Sequence, residues 1–433
     1  MLRTLHHVTI VLALSLAACG GGGNGAAPND LGAGGTGGTG GTGGTGGAGS
    51  GGSGSFAVTY TDIANLASWE GAVDWFVEDA GSVSGPFDSG GTGVVSLGQP
   101  VGTKVHLTRR EAFYYFTFMD APVDAISFYT GDRDLASVNE NVTVNLANTA
   151  IDDQLMLFYP FPNWWDIDQV PYTLTQTVGS ADLIADDGTA TVFINYRASE
   201  AEEPASRYDF RLDLAPTELS SVDFDVAALR QRTSTRQWQS NAMLSGSALP
   251  FLWAQRKGIF LIAGESSSGG GTSGLVGLPD QFPADRWYLA SGLTLMPEIV
   301  QSVDPASTDI IVMDPLPGFI DDNTITYDAN AGTISVMAPG VVPIHFGHLK
   351  LATNSEVWEI YFPATALQIS ADMITLALPE HPVNAQLPAF TSVSIEFYRL
   401  DGDATAETMY RYLWNRRTHS LPSFAMQSEF TFL

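Results

Sequence analysis

Tyr208-Asp209-Phe210-Arg211-Leu212-Asp213-Leu214 is the stretch that decides the fold. Successive side chains on a pleated strand point to opposite faces, so this order puts Tyr208, Phe210, Leu212 and Leu214 on one face and the three charges on the other. A helix would scatter the same residues around its circumference. The period of two recurs in Val142-Val144-Leu146, Trp358-Ile360-Phe362, Val393-Ile395-Phe397 and Phe430-Phe432. Turn chemistry separates such runs: Ser89-Gly90-Gly91, Asp186-Asp187-Gly188, Ala329-Asn330-Ala331-Gly332 and Asp401-Gly402-Asp403. Many short strands between such turns predict an all-β fold of tandem antiparallel β-sandwiches. Helical candidates are few: residues 63–69, 222–232 and 404–417, the last readable equally as a strand through Tyr410, Tyr412 and Trp414.

The chain has 433 residues, and 20 of its 45 glycines fall between positions 20 and 55. Beyond Phe56 the glycine content is ordinary, so a glycine tract precedes a chain of normal globular composition. With 44% hydrophobic and 11% aromatic residues, that part can bury a large core. Charge is sparse but lopsided: 19 Lys+Arg against 47 Asp+Glu give a net −28 at pH 7. Such a field repels phosphate backbones, and nucleic-acid binding has no electrostatic basis here. The arginine clusters, Arg230 with Arg232 and Arg236, and Arg411 with Arg416 and Arg417, are expected to pair locally with carboxylates.

At the amino terminus, Arg3, His6 and His7 precede an apolar run of 11 residues, 8–18. A membrane-spanning helix needs about 20, so the run has the length of a signal-peptide core instead. The following Leu16-Ala17-Ala18-Cys19 resembles the lipobox of bacterial lipoproteins. That resemblance implies cleavage before Cys19, acylation of this single cysteine, and a membrane partner held through the acyl chains. Gly20 stands where an aspartate would favour inner-membrane retention, which implies the outer membrane, on its periplasmic face or at the cell surface. Stable anchoring takes two membrane signals, which two or three acyl chains supply. Four Thr-Gly-Gly triplets, 36–47, then read as a disordered tether.

Composition shifts divide the chain into a signal peptide (1–18), a lipidated cysteine and tether (19–55), and four sandwich-sized units at 56–150, 151–226, 227–315 and 316–433. Pro100-Val101-Gly102-Thr103-Lys104-Val105, followed by residues 113–118 and 126–129, resembles part of the carboxypeptidase-regulatory-like sandwiches. About 30 residues are covered, and a non-catalytic, Ig-like module is what that resemblance implies. The alternating runs span five to seven residues, short of the about 9–11 that a transmembrane barrel strand needs.

Catalytic signatures are absent from the sequence: no Gly-x-Ser-x-Gly, no His-Glu-x-x-His, and no serine three residues before Lys104, Lys257 or Lys350. Ser266-Ser267-Ser268 before three glycines reads as a loop. Asp88-Ser89-Gly90 matches the aspartic-protease triplet but has no second copy to share a proton, so it reads as a turn. His345 and His348 are the closest histidine pair. On a strand they face opposite ways, so joint metal binding needs a bend at Gly347, and Glu356 is the nearest carboxylate in sequence. Calcium has candidate ligands in Asp152-Asp153, Asp186-Asp187, Asp321-Asp322 and Asp401-Gly402-Asp403, which turn geometry explains equally well.

Pro160-Phe161-Pro162-Asn163-Trp164-Trp165-Asp166 is the candidate ligand-binding segment. Its prolines keep it out of a central strand, and aromatic faces at Trp164 and Trp165 beside Asp166 suit a carbohydrate. The contrasting reading folds the tryptophans back over the edge of a sandwich. Taken together, the sequence predicts a lipid-anchored envelope protein without catalysis that displays β-sandwich modules for adhesion, ligand capture or envelope structure, with a glycan or an envelope protein as partner. The alternative is a surface carbohydrate-binding protein or glycoside hydrolase using Trp164, Trp165 and an unassigned Asp/Glu pair.

Overall fold

In a computed structural model the deciding stretch lies in the strand Arg207–Leu214. Tyr208 and Phe210 are buried, and Leu212 and Leu214 pack against the same core, as the alternation requires. The structure describes residues 53–432 except 60, 63–66, 69–73, 88–93, 101–103, 112, 123–127, 130–138, 158–162, 180–182, 186, 199–204, 243–249, 268–270, 294–295, 317–324, 338–342, 371, 385–386 and 415–418. The signal segment, Cys19 and the glycine tract to 52 lie outside the described residues. So do the Asp88-Ser89-Gly90 triplet, Asp321-Asp322, Arg416 and Arg417.

The fold is all-β, built of antiparallel sandwiches. One is made of the sheet Tyr172–Gly179, Asn139–Ala147, Val222–Asp225 facing the sheet Asn163–Asp166, Gln154–Leu157, Ala190–Arg197, Arg207–Leu214, Arg230–Gln231. Val142, Val144 and Leu146 from the first sheet and Leu155, Phe193 and Tyr208 from the second share one buried cluster. The outer face of the first sheet is polar: Thr143 meets Thr175 at 3.0 Å, and the Asn145 amide donates to Asp223 at 2.8 Å. Ala190–Arg197 is buried at every position, because its second face is covered too.

A sheet of twelve strands runs through the rest of the molecule. The edge strands of neighbouring sandwiches pair directly: Ile299 and Val300 lie opposite Ala425 and Phe424, and residues 357–361 run parallel to 114–118. Pairing satisfies backbone groups that two free edges would have left open to water or to another chain. All described residues belong to one compact unit, Gly52–Leu433.

Pairing also moves two of the expected boundaries. Asn139–Ala147 pairs with Tyr172–Gly179 and Val222–Asp225, so a cut near 150 divides one sheet. Arg230–Gln231 pairs with Arg207 and Tyr208, which carries that sandwich past 226. The cut near 315 falls between the short strand Ile311–Val312 and the next one, Ile325–Asp328. The first strand, Ser53–Thr59, begins within the last residues assigned to the tether.

The helical expectations divide. Residues 222–232 form a strand, a short 3-10 turn and a second strand, because Val222 and Phe224 face the core while Asp223 and Asp225 face water. The turn is fixed by the Asp225 carboxylate accepting the Ala227 N–H at 2.9 Å. Of residues 63–69, the described part is the strand Ala67–Ser68. Residues 404–417 contain the helix Ala406–Trp414, whose buried Met409, Tyr410 and Trp414 form one stripe. Thr405 and Thr408 cap it reciprocally, and the Glu407–Arg411 pair at 2.8 Å braces its outer face.

This helix lies on the outer face of the large sheet. Tyr410 and Trp414 pack edge-on against Phe118 with ring centres 5.9 and 5.5 Å apart, and Tyr410 meets Phe346 at 5.3 Å. Its hydroxyl donates to the Met119 carbonyl at 2.5 Å.

Candidate functional site

Beyond the helix, three neighbouring strands of the large sheet carry ionisable side chains on this outer face. They are Phe346–Ala352, Val357–Pro363 and Ser392–Leu400. Leu349, Ile360 and Ile395 point inward to the core, so the alternation turns His348, Glu359 and Glu396 outward. Glu396 stands directly across from His348, with 3.0 Å between its Oε2 and Nδ1. Glu359 Oε2 lies 3.6 Å from Nε2 on the other side. Tyr361 stacks on the imidazole with centres 4.4 Å apart and planes 7° from parallel, and its hydroxyl donates to Glu359 at 3.1 Å. Tyr398 donates to Glu396 at 2.5 Å, and Lys350 lies 3.6 Å from Glu359 Oε1.

Burial alone would lower the pKa of His348, but the charge of Glu396, the hydrogen bond to it and the close charge of Glu359 raise it to about 9. The ring is therefore an imidazolium at neutral pH. Burial likewise pushes Glu396 up, and the His348 charge outweighs it, leaving the carboxyl below its usual range. A general base needs a free lone pair, which His348 lacks in this state. The cluster instead fixes charge between three strands.

His345 and His348, which could share a metal only through a bend at Gly347, turn to different partners. His345 turns to the end of a neighbouring strand, its Nδ1 accepting the Leu400 N–H at 3.0 Å. Gly347 lies in a regular strand and provides close packing: a Cβ there would lie 2.2 Å from the Phe362 ring. Among the described residues, no group of three or more His, Cys, Asp or Glu side chains is arranged to hold a metal ion. Sequence reading missed Glu359 and Glu396 because each belongs to a different strand. Their visible signal was a charge set in an otherwise apolar strand.

The Trp164-Trp165-Asp166 segment is a strand, Asn163–Asp166, at the edge of its sheet where a loop was expected. Edge position agrees with the two prolines before it. Trp165 lies opposite Leu155 and is partly buried against the core, so this indole serves packing. The side chain of Trp164 lies outside the described residues. Asp166 is exposed and accepts from the Gln154 amide at 2.5 Å.

The proposed calcium turns engage their own neighbours. Asp153 accepts the Ala150 N–H at 2.8 Å and the Tyr196 hydroxyl. Asp187 takes the Lys257 ammonium at 2.5 Å, and Asp401 takes Arg399 at 3.0 Å and Gln301 at 2.8 Å. Burial opposes ionisation of Asp187, yet the Lys257 and Thr189 hydrogen bonds hold it at about 2.

The arginine clusters behave unevenly. Arg230 pairs with Asp209 at 2.9 Å, and Arg411 with Glu407 as described above. Arg236 donates to the carbonyls of Asp304 and Pro305. Arg232 is drawn inside, donating to the Gly277 carbonyl at 2.8 Å, the Ala263 carbonyl at 2.7 Å and the Asn195 side chain.

No family model and no curated protein matches the chain. Among solved structures it is similar to a tetra-tandem repeat from the extending region of a large adhesion protein. The identity is 8%, covering 88% of this chain and 99% of that one, with a TM-score of 0.15. The N-terminal four Ig domains of Dscam1 isoform 1.9 give 9% identity, 87% and 97% coverage and a TM-score of 0.15. Extracellular domains 3–5 of Drosophila OTK give 9%, 68% and 92%, with 0.12. At such scores the likeness carries no argument, and the fold rests on the strand pairing itself.

Proposed function

We propose that this chain is a lipid-anchored envelope protein, without catalysis of its own, that holds its β-sandwich body away from an outer membrane for adhesion, ligand capture or envelope structure. The observation that carries this reading is the chain's single cysteine, Cys19, placed directly after Leu16-Ala17-Ala18 and followed by the glycine tract. In support, the described residues beyond the glycine tract belong to one compact unit, so one tether would present one unit. The outward-facing acids at His348 are engaged in mutual pairing, which suits a scaffold better than an open acid–base site.

Blocking the lipoprotein signal peptidase with globomycin should make an unprocessed precursor accumulate, and an alkyne-labelled fatty acid should mark wild type but not Cys19→Ser. Normal maturation under globomycin, or equal labelling of both, overturns the anchor. The glycan reading keeps one supporting observation, the exposed Asp166 on an edge strand.

A further inference from the structure

His381 lies outside the cluster at His348 and serves none of the roles above. It sits in the loop 378–384 that follows the strand Met373–Ala377, over the line where the strands Tyr114–Pro122 and Val357–Pro363 run parallel. That line joins an amino-terminal ribbon of strands to the carboxy-terminal sandwich. The imidazole is wedged between one aromatic ring from each side, Tyr115 at 4.8 Å and Trp358 at 5.0 Å, both edge-on. Its side chain is 1% exposed. The same loop reaches the ribbon a second time, where the Glu380 N–H donates to Glu78 Oε2 at 2.9 Å.

The protonation state of this ring is dictated by its partners. Nδ1 accepts two backbone N–H groups, from Val383 at 3.3 Å and from Asn384 at 3.1 Å. A backbone N–H can only donate, so Nδ1 must carry a lone pair and the ring proton sits on Nε2. Adding a second proton places an N–H against two N–H donors. Both bonds are then lost, and the loop loses the contacts that fold it back on itself.

We infer that His381 is an acid-sensitive latch: neutral, it fastens the loop across the seam between the ribbon and the sandwich, and protonation at Nδ1 frees the loop and loosens that seam. The charged groups around it are Glu356, whose Oε1 lies 3.8 Å from Nε2, and, behind Tyr115, Arg110, which is paired with Asp74 at 3.4 Å. Glu78 and Glu380 stand at the loop's other contact. Glu356 favours a proton on the ring, and two displaced donors and burial oppose it. Burial holds the His381 pKa down to about 4. Closed His381 is thus neutral over a range where a freed histidine is already charged, so opening gains about tenfold per pH unit below 6.5 and levels off near 4.

Hydrogen–deuterium exchange of the full chain, followed by mass spectrometry, tests this through protection factors corrected for intrinsic rate. The amides of Val383 and Asn384 should lose protection between pH 6.5 and pH 4 by up to about 300-fold, with the 114–118 and 357–361 segments following. The core strand Ala190–Arg197, which belongs to a separate sheet, should not change. His381→Asn keeps an acceptor oxygen near the Nδ1 position and cannot titrate, so its protection should be the same at both pH values. Unchanged wild-type protection at Val383 and Asn384 overturns the latch, whatever the variant does. An equal loss in His381→Asn does so as well. Nitrogen-15 chemical shifts of the ring give an independent check, and a proton found on Nδ1 at pH 7 also overturns it.

Discussion

Arg232 passes so close to Gly277 that a Cβ on the glycine would lie 2.6 Å from the arginine Cδ, while the guanidinium donates to the Gly277 carbonyl at 2.8 Å. The contact joins two sandwiches. Arg232 follows the strand Arg230–Gln231 of one, and Gly277 belongs to the strand Ser273–Leu278 of the next. Burial lowers the Arg232 pKa to about 10, leaving it charged at neutral pH, with Tyr208 and Glu265 as nearby electrostatic support. Arg197 and Glu265, 3.5 Å apart and nearly buried, cross the same seam.

Gly277→Ala should therefore destabilise the body out of proportion to one methyl group. The displaced atom is in the middle of a side chain held at its far end, so it cannot swing aside cheaply. A loss of about 1–3 kcal/mol is expected, read from urea unfolding. An unchanged midpoint would mean that the arginine stem is not held as described.

Alkaline pH should weaken the molecule through His348. Its folded pKa, about 9, lies above the ordinary 6.5, so its contribution is complete below 6.5 and is lost as pH rises through about 9. Urea unfolding at pH 6.5 and pH 10 should differ by about 3 kcal/mol from this group, and His348→Asn should flatten that difference. Glu396→Gln removes the strongest opposing charge and should lower the His348 pKa by about 1–3 units, seen by NMR titration. A His348 that titrates near 6.5 in the wild type contradicts the cluster.

The two adjacent tryptophans offer a sharp test of packing against binding. Trp165 packs on the core opposite Leu155, so Trp165→Ala should lower the unfolding midpoint, with a cost of about 2 kcal/mol or more. If a glycan binds at this edge, Trp164→Ala or Asp166→Ala should remove glycan-array signal, and Asp166→Ala should leave the midpoint unchanged. Full retention of signal in both excludes the edge as a glycan site.

Much of the fold was legible because strand alternation is local. Tyr208 and Phe210, or Val393 and Ile395, announce their buried face within a few residues, and the sheets obey them. The segment 222–232 misled because charged and apolar residues in a short run also fit a helix. Only pairing of Val222–Asp225 with residues 144–147 shows which period wins. The candidate cluster was hidden for a related reason. His348 was visible as a histidine on a strand, but Glu396 is 48 positions away, and its relevance depends on sheet register.

The sequence by itself determined the β class, the lone cysteine in its lipobox-like setting, the glycine tract and the acidic balance, since each is a property of neighbouring residues or of composition. Tertiary structure decided which edges join, and so turned a row of sandwiches into one body through pairings such as Trp358 with Tyr115 and Val300 with Phe424. It also decided protonation: His348 is driven to hold its proton by two carboxylates, and His381 is kept neutral by two backbone donors. Their opposite states follow from burial and from partners that only the folded chain brings within hydrogen-bond or ion-pair range.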